Sequence, residues 1–431
     1  MKTRTRMKAR TRLLGCVLGA AVLALPACGN PTDAASGAGN AINLVMSNHP
    51  WQRGIEPLID RFEEESGVTV NVQTFAEQQT RDKIQLNLQS RSAAMDVYMT
   101  LPSREGPLFA SSGYYEPLDD RLAQAPAEYE ADGFSRGALT GMQVDGTTYA
   151  LPVNVEGPVL YYRTDLFEQW GLTPPTTADE LRATAEAVKG RTADVTPITL
   201  RGASSALPFT FGPFLHGTGL EWTDAQGAPT FDDPRAARAI DQYATLAREF
   251  GPPGVINYSF TESSTLFAQG KAAMELESSN ELNSLIDPGS STVAENVGVA
   301  ALPATTVLSW GIAMSPFSEN KDAAWQFMQW ATSPGTQLEL AKADIAPPRQ
   351  SVADEPAYTE ALDTPTHQQW RAAVADLQEN GNVEVGPVGA NAPAMRKVIG
   401  DAVGKAILGE ASPEQAAAEI QSGLTSQLAD G

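Results

Sequence analysis

INLVMSNHPWQRGIEPLIDRFEEESGVTVNVQTFAEQQTRDKIQLNLQSRSAAMDVYM, residues 42–99, is the stretch that decides the fold. Three short β-rich runs, 42–46, 68–74 and 96–99, alternate with two stretches of helical character. In the first, 55–66, Ile55, Leu58, Ile59 and Phe62 share one face, and Gly67 follows as a stop. The second, 80–91, carries Ile84, Leu86 and Leu88. Strand, helix, strand, helix, strand in this order predicts a parallel sheet covered by helices, an α/β fold.

Further along the chain, helix starts are written plainly. Thr177-Ala178-Asp179-Glu180 is a capping box opening a helix to about Val188. Asp233-Pro234 opens another, and Ser412-Pro413-Glu414-Gln415 opens the last, with proline in the first turn. There is no internal repeat of fixed period. With 431 residues, the chain makes two or three compact units or one two-lobed body.

The N-terminus reads as an address. Six basic residues between Lys2 and Arg12 precede an apolar run at 13–25, long enough for a signal peptide and too short to span a bilayer as a helix. LPACG at 25–29 resembles a bacterial lipobox, with Pro26 replacing the usual small residue. The expectation is a signal peptide at 1–27, lipid on Cys28, and a flexible Gly-rich tether over 28–40. The protein would then sit outside the cytoplasm, lipid-anchored at the cell membrane. The formal charge of −22 becomes −28 without the signal. Such a surface repels phosphate backbones, so no nucleic-acid partner is expected. Cys16 and Cys28 are the only cysteines, which excludes a disulfide framework and a CxxC site. His49, His216 and His367 are far apart, so no metal or other cofactor is expected.

Several segments together carry a resemblance. DGTTYALP at 145–152, LYYRTDLF at 160–167, Trp170-Gly171-Leu172, and 174–181 follow one another in order. FAQGKAAM at 267–274, VGVAALP at 297–303, AAWQFMQW at 323–330 and GEASPEQ at 409–415 complete the series. From Ile42 to the C-terminus the chain resembles the maltose-binding type of ABC-transporter solute-binding protein. Arg163 and Thr177 stand where that family commonly has Asn and Trp. The resemblance implies a two-lobed periplasmic-binding-protein fold with a ligand cleft between lobes joined by hinge strands. The crossings fall near 153–155, 304–307 and 351–355. The lobes are then 41–153 plus 304–353, and 154–303 plus 354–431. It also implies a monomer that captures a sugar, oligosaccharide or polyol and hands it to ABC-importer permease subunits.

Sugar recognition needs aromatic faces for the ring and planar polar groups for the hydroxyls. Candidates lie where strands end. His49 and Trp51 follow the first strand, Trp51 being a platform or simply core. Thr100 and Arg104 follow the third, with Glu105 a rival partner for Arg104. Asn154 and Glu156 follow the first crossing. Phe209, Phe211 and Phe214 lie in a Pro/Gly-rich stretch read as a loop, with Phe211 taken as the one lining the cleft. Glu277 and Asn280 follow the GKAAM strand. Trp310 and Gly311 follow an expected strand at 305–309, Trp310 as a stacking platform that folding does not need. Arg349 sits in a Pro-Pro-Arg turn.

Two other readings stay open. One is the same fold with a non-sugar solute. The other is a secreted lipoprotein hydrolase using paired carboxylates, although no G-x-S-x-G, S-x-x-K, H-E-x-x-H or P-loop motif is present and no catalytic residue is assigned.

Overall fold

The computed structural model describes residues 40–429 except 303, 384, 385 and 390. The expected signal peptide, Cys28 and all of the tether but Asn40 lie outside the described residues.

The two opening β-rich runs form β1 (Ala41–Ser47) and β2 (Thr69–Phe75), paired in parallel from Ala41↔Thr69 to Ser47↔Phe75. β3 (Val97–Thr100) lies parallel on the other side of β1. A hairpin of β4 (Gln143–Val144) and β5 (Thr147–Thr148) turns at Asp145 and Gly146, both at positive φ, as a tight Asp-Gly turn requires. β6 (Ala150–Pro152) follows. A second sheet takes β7 (Pro158–Arg163), β8 (Thr196–Thr199), β9 (Ala272–Ser278) and β10 (Val297–Ala300) in the order β10-β7-β9-β8. The chain then returns. β11 (Gly311–Met314) inserts antiparallel between β3 and β6 and completes the first sheet as β2-β1-β3-β11-β6.

Each sheet has its own core. Trp51, Phe62 and Phe327 pack on one side of the first sheet, and Leu88, Tyr98 and Met142 on the other. Leu181, Phe211, Trp222 and Ile399 cover one side of the second sheet, and Tyr161, Phe267 and Trp370 the other. The first helical segment begins at Pro50, five residues before the expected start. His49 caps it, its Nδ1 accepting from the Trp51 N–H at 3.1 Å, and Pro50 fills the first turn.

Two segments join strands of the two sheets, 153–157 and 301–310, and the chain passes over a third time between the helices Pro334–Ala341 and Pro365–Asn380. The first two hold each other: Glu156 and Leu308 exchange backbone bonds of 2.9 and 2.8 Å, and the Val153 N–H donates to the Trp310 carbonyl at 2.8 Å. The strand expected at 305–309 is absent, because this segment finds only isolated partners, Leu308 with Glu156 and Thr306 with Asn382. Near 351–355 the expected hinge strand is the short helix Gln350–Ala353. With only one bridge to a neighbour, Arg349 to Phe134, the segment satisfies its backbone locally. The Pro/Gly-rich loop read at 209–214 is also overturned. It belongs to the helix Leu207–Gly217, with Pro208 in the first turn, where its missing N–H costs nothing.

Candidate functional site

β1, β2 and β3 of the first sheet and β8 and β9 of the second end around one space between the lobes. In open α/β sheets, ligands bind beyond the carboxyl ends of strands. Here those ends deliver His49 after β1, Glu77 after β2, Arg104 after β3, Arg201 after β8, and Ser278 with Glu281 after β9. Glu156 and Trp310 come from the two crossings, Phe209 and Phe260 from helices, and Arg396 from the helix Ala392–Leu408. The space they enclose is about 50 Å³.

Glu156 is the junction. One carboxylate oxygen accepts from Trp310 Nε1 at 2.8 Å. The other accepts from Ser278 Oγ at 2.6 Å and Asn280 Nδ2 at 3.2 Å, with His49 Nε2 at 3.7 Å. Burial pushes this carboxyl up, yet His49, Ser278 and the charge of Arg201 outweigh burial and hold it below the usual range. Arg104 donates Nε to Glu105 at 2.7 Å and NH1 to Glu77 at 2.9 Å, and its guanidinium lies 5.3 Å over the Trp310 ring. Burial opposes the Arg104 charge, but the two carboxylates raise its pKa above the ordinary value. Glu77 is likewise penalised by burial and held down to about 2 by Arg104, Arg81 and Arg201.

Arg201 clamps the fully buried Glu277 with Nε and NH2, Nε lying 2.9 and 3.0 Å from its two oxygens. The Arg201 guanidinium lies 4.1 Å over Phe209 and 5.9 Å over Phe260. Glu281 is pushed up to about 7, first by burial and then by Glu277, with Arg53 and Arg201 opposing. Arg396 is pushed down to about 9, first by burial and then by Arg104. The wall therefore alternates guanidinium donors with carboxylate acceptors and closes on aromatic rings. That combination takes hydroxyl groups as donors and acceptors together. Among the described residues no group of three or more His, Cys, Asp or Glu is placed to hold a metal ion.

Four of the twelve residues proposed from sequence line this cavity: His49, Arg104, Glu156 and Trp310. Three stand behind the wall. Asn280 bonds Glu156, Glu277 holds Arg201, and Asn154 Oδ1 accepts from the Trp310 backbone N–H at 3.2 Å. Five lie elsewhere. Trp51 is fully buried in the first-sheet core, since its helix turns the ring inward. Thr100 is also fully buried and pairs with the Tyr115 hydroxyl at 2.6 Å. Phe211 sits in the second-lobe core against Trp222 and Tyr243, leaving Phe209 on the cavity side of the same helix. Gly311 lies inside β11, where a Cβ would overlap Met142 Sδ. Arg349 is fully buried away from the cavity, donating to the Thr332 and Glu130 carbonyls at 2.6 and 2.7 Å and stacking 3.8 Å from Phe134.

Residues 48–338 match the model of the bacterial extracellular solute-binding protein family. The chain belongs to this family. As a solute-binding protein it is 28% identical over 445 residues to the mannitol-binding protein of Pseudomonas aeruginosa, covering 95% of this chain and 97% of the relative. It is 26% identical to the erythritol/L-threitol-binding protein of Mycolicibacterium smegmatis, over 80% and 84% of the two chains. A solved ABC-transporter solute-binding protein from Agrobacterium radiobacter K84, in complex with ribitol, superposes with a TM-score of 0.80 at 25% identity, covering 89% of this chain and 97% of that one. These relatives are binding proteins by name. Among the described residues of this solute-binding protein no helix is long and apolar enough to cross a membrane.

Sequence reading missed Glu77, Arg201, Phe260, Glu281 and Arg396 at the binding protein's cavity, and chose Phe211 over Phe209 among three candidate phenylalanines. The signal for two of them was available. The strand-end argument that found His49 and Arg104 applies equally to β2 and β8, after which Glu77 and Arg201 stand. Arg396 had no such signal, since it arrives from a helix some two hundred residues away in sequence from Arg201.

Proposed function

We propose that the protein is an extracytoplasmic receptor that captures a polyol or sugar in the interlobe cavity and delivers it, chemically unchanged, to the permease of an ABC importer. The Glu156 junction carries this reading. A carboxylate carried by the first crossing and fixed by donors from the second crossing and the second lobe, facing Arg104 and Arg201, offers a run of hydroxyls alternating acceptors and donors. The reading is supported by the solutes named for its relatives: mannitol, erythritol or L-threitol, and ribitol. The lobes are taken as 41–153 with 304–353, and 154–303 with 354–431, which keeps each sheet whole. The receptor is taken as a monomer anchored by lipid on Cys28. Loss of membrane partitioning in Cys28→Ala would support the anchor, and unchanged partitioning would refute it.

A hydrolase remains the competing reading for one specific reason. Glu156, held below the usual carboxylate range, and Glu281, near 7, line the same cavity, as a base and an acid do in glycosidases. A thermal-shift panel of D-mannitol, ribitol, erythritol and maltose, with product analysis, separates the two. A receptor ligand at one hundred times its dissociation constant adds about 2.7 kcal/mol without being consumed. Cleavage of a glycoside would overturn the receptor reading, as would stabilisation by none of the panel.

A further inference from the structure

Glu281 is a carboxyl folded into the gap between the lobes. It sits on the short turn Ser279–Glu281 just past β9 and is only 5% exposed. Two interlobe spaces meet at this residue, the central cavity and a neighbouring one of about 250 Å³. The first lobe supplies the facing walls, His49 and Pro50 in the first space and Asn48 and Arg53 in the second. The charges around Glu281 are unevenly matched. Glu277 lies behind it on β9 and Glu156 faces it from the first crossing. Arg201, the cation of its own lobe, is taken up by Glu277. Arg53 stands across the gap, bonded to Asn48 Oδ1 at 3.2 Å. Glu281 itself accepts from the neutral Ser284 hydroxyl at 3.3 Å. The remaining titratable groups of the central cavity are His49 beside Glu156, Glu77 paired with Arg81 and Arg104, and Arg396. Glu275, further back on β9, is fully buried inside the second lobe, where Ser264 Oγ donates to it at 2.8 Å.

We propose that closure of the lobes around the solute takes up one proton at Glu281, so that capture is proton-linked and the receptor holds its solute more tightly in acidic than in alkaline surroundings. The proposal rests on the reading of the central cavity as the solute site. Parting of the lobes withdraws Asn48, His49, Pro50 and Arg53 and lets water reach the carboxyl, which then ionises as an ordinary glutamate does. Closure removes that water and leaves the group beside two carboxylates, and the neutral acid is the form that such surroundings favour. Burial, followed by the charge of Glu277, pushes it up to about 7 in the closed protein, against an ordinary value of 4.5. The closed state therefore binds the proton more strongly than the open one. The gain in affinity is fully present below about pH 4.5 and is lost as pH rises through about 7. Glu275 keeps the same surroundings in both states and takes no part.

Calorimetry on the full protein, with each of D-mannitol, ribitol, erythritol and maltose that binds, tests this. Titrations at pH 6 in two buffers of different ionisation enthalpy count the protons. About one proton should enter per solute bound, and affinity should fall about tenfold between pH 6 and pH 8. Glu281→Gln, a neutral isostere, should take up no proton and bind equally at both pH values. Arg53→Gln, at an exposed position, should move the midpoint of the pH profile upward, because the cation opposing a proton from across the gap is gone. Melting checks that both variants fold, and Arg53→Gln decides alone if Glu281→Gln does not. Binding without proton uptake overturns the proposal and leaves the receptor reading intact. So does uptake that persists in Glu281→Gln, or a midpoint that stays in place in Arg53→Gln. Binding of none of the four solutes removes the solute reading and the proposal together.

Discussion

Trp310 reaches the cavity from the second crossing with its indole already engaged. Its Nε1 is bonded to Glu156, Arg104 and His49 cover its ring, and only 7% of the residue is exposed. Its burial and its bond to Glu156 lead us to expect that loss of this indole costs stability as well as binding. Trp310→Phe keeps an aromatic ring and removes one donor from a buried carboxylate, a loss of about 1–3 kcal/mol. Calorimetry should show affinity for the bound polyol falling about tenfold, and scanning calorimetry a lower melting temperature. No change in either would remove Trp310 from the junction. Glu281 gives a pH signature. Its pKa is raised to about 7 in the folded protein against 4.5 as the ordinary value, so the folded state holds a proton that the unfolded state releases. Stability is then fully present below about pH 4.5 and is lost as pH rises towards 7, by of order 3 kcal/mol at most. Glu281→Gln should flatten this fall, and denaturant titrations from pH 4 to 8 with parallel curves for both proteins would refute it. At this scale the sequence was half legible. Strand ends marked His49, Arg104 and Glu156, but side-chain direction separated Phe209 from Phe211 and Trp51 from the wall, and direction is written only in packing.

The crossings are the elements that make one molecule of two sheets. Gly157 stands where they come closest: a Cβ there would overlap the Thr306 carbonyl and meet the Leu377 side chain. Its φ is not in the left-handed region, so the requirement is space rather than backbone freedom. Gly157→Ala should force the segments apart and cost about 1–3 kcal/mol as overpacking. Thermal melting checks this, and a variant that melts with the native protein would show that the crossings slide freely. The periodic elements were well read. β1, β2, β3 and the helix Ala178–Lys189 lie within a few residues of expectation. What failed were segments whose conformation depends on remote partners. The helix Leu207–Gly217 is buried on all sides, from Leu207 to His216, so it shows no polar face to reveal its period. The stretch before Trp310 has β-like residues, but its possible partners are spent on single bridges.

At the scale of the whole molecule, the central cavity holds about 50 Å³, room for about four waters and less than a hexitol needs. We therefore expect the lobes to part for a polyol to enter, bending where the chain passes between them, and to close again around it. Small-angle scattering should record a larger radius of gyration without ligand than at saturation with a confirmed binder. Identical curves would mean that the solute enters without lobe motion. Parting would leave most of each buried core intact, Trp51 and Phe62 in one, Phe211 and Trp222 in the other, while uncovering Phe209, which packs with the first-lobe core.

The bond from the Trp310 indole to Glu156 makes the protein its own optical gauge. Trp51, Trp222 and Trp370 are fully buried in the cores, away from the water that cleft opening would admit. Trp310 alone among these four sits where opening admits water and closure expels it. Its emission should drift to longer wavelength in the empty receptor and return as solute is added, so that a titration needs no dye. A spectrum that stays fixed through saturation with a proven ligand would place Trp310 outside the moving contact.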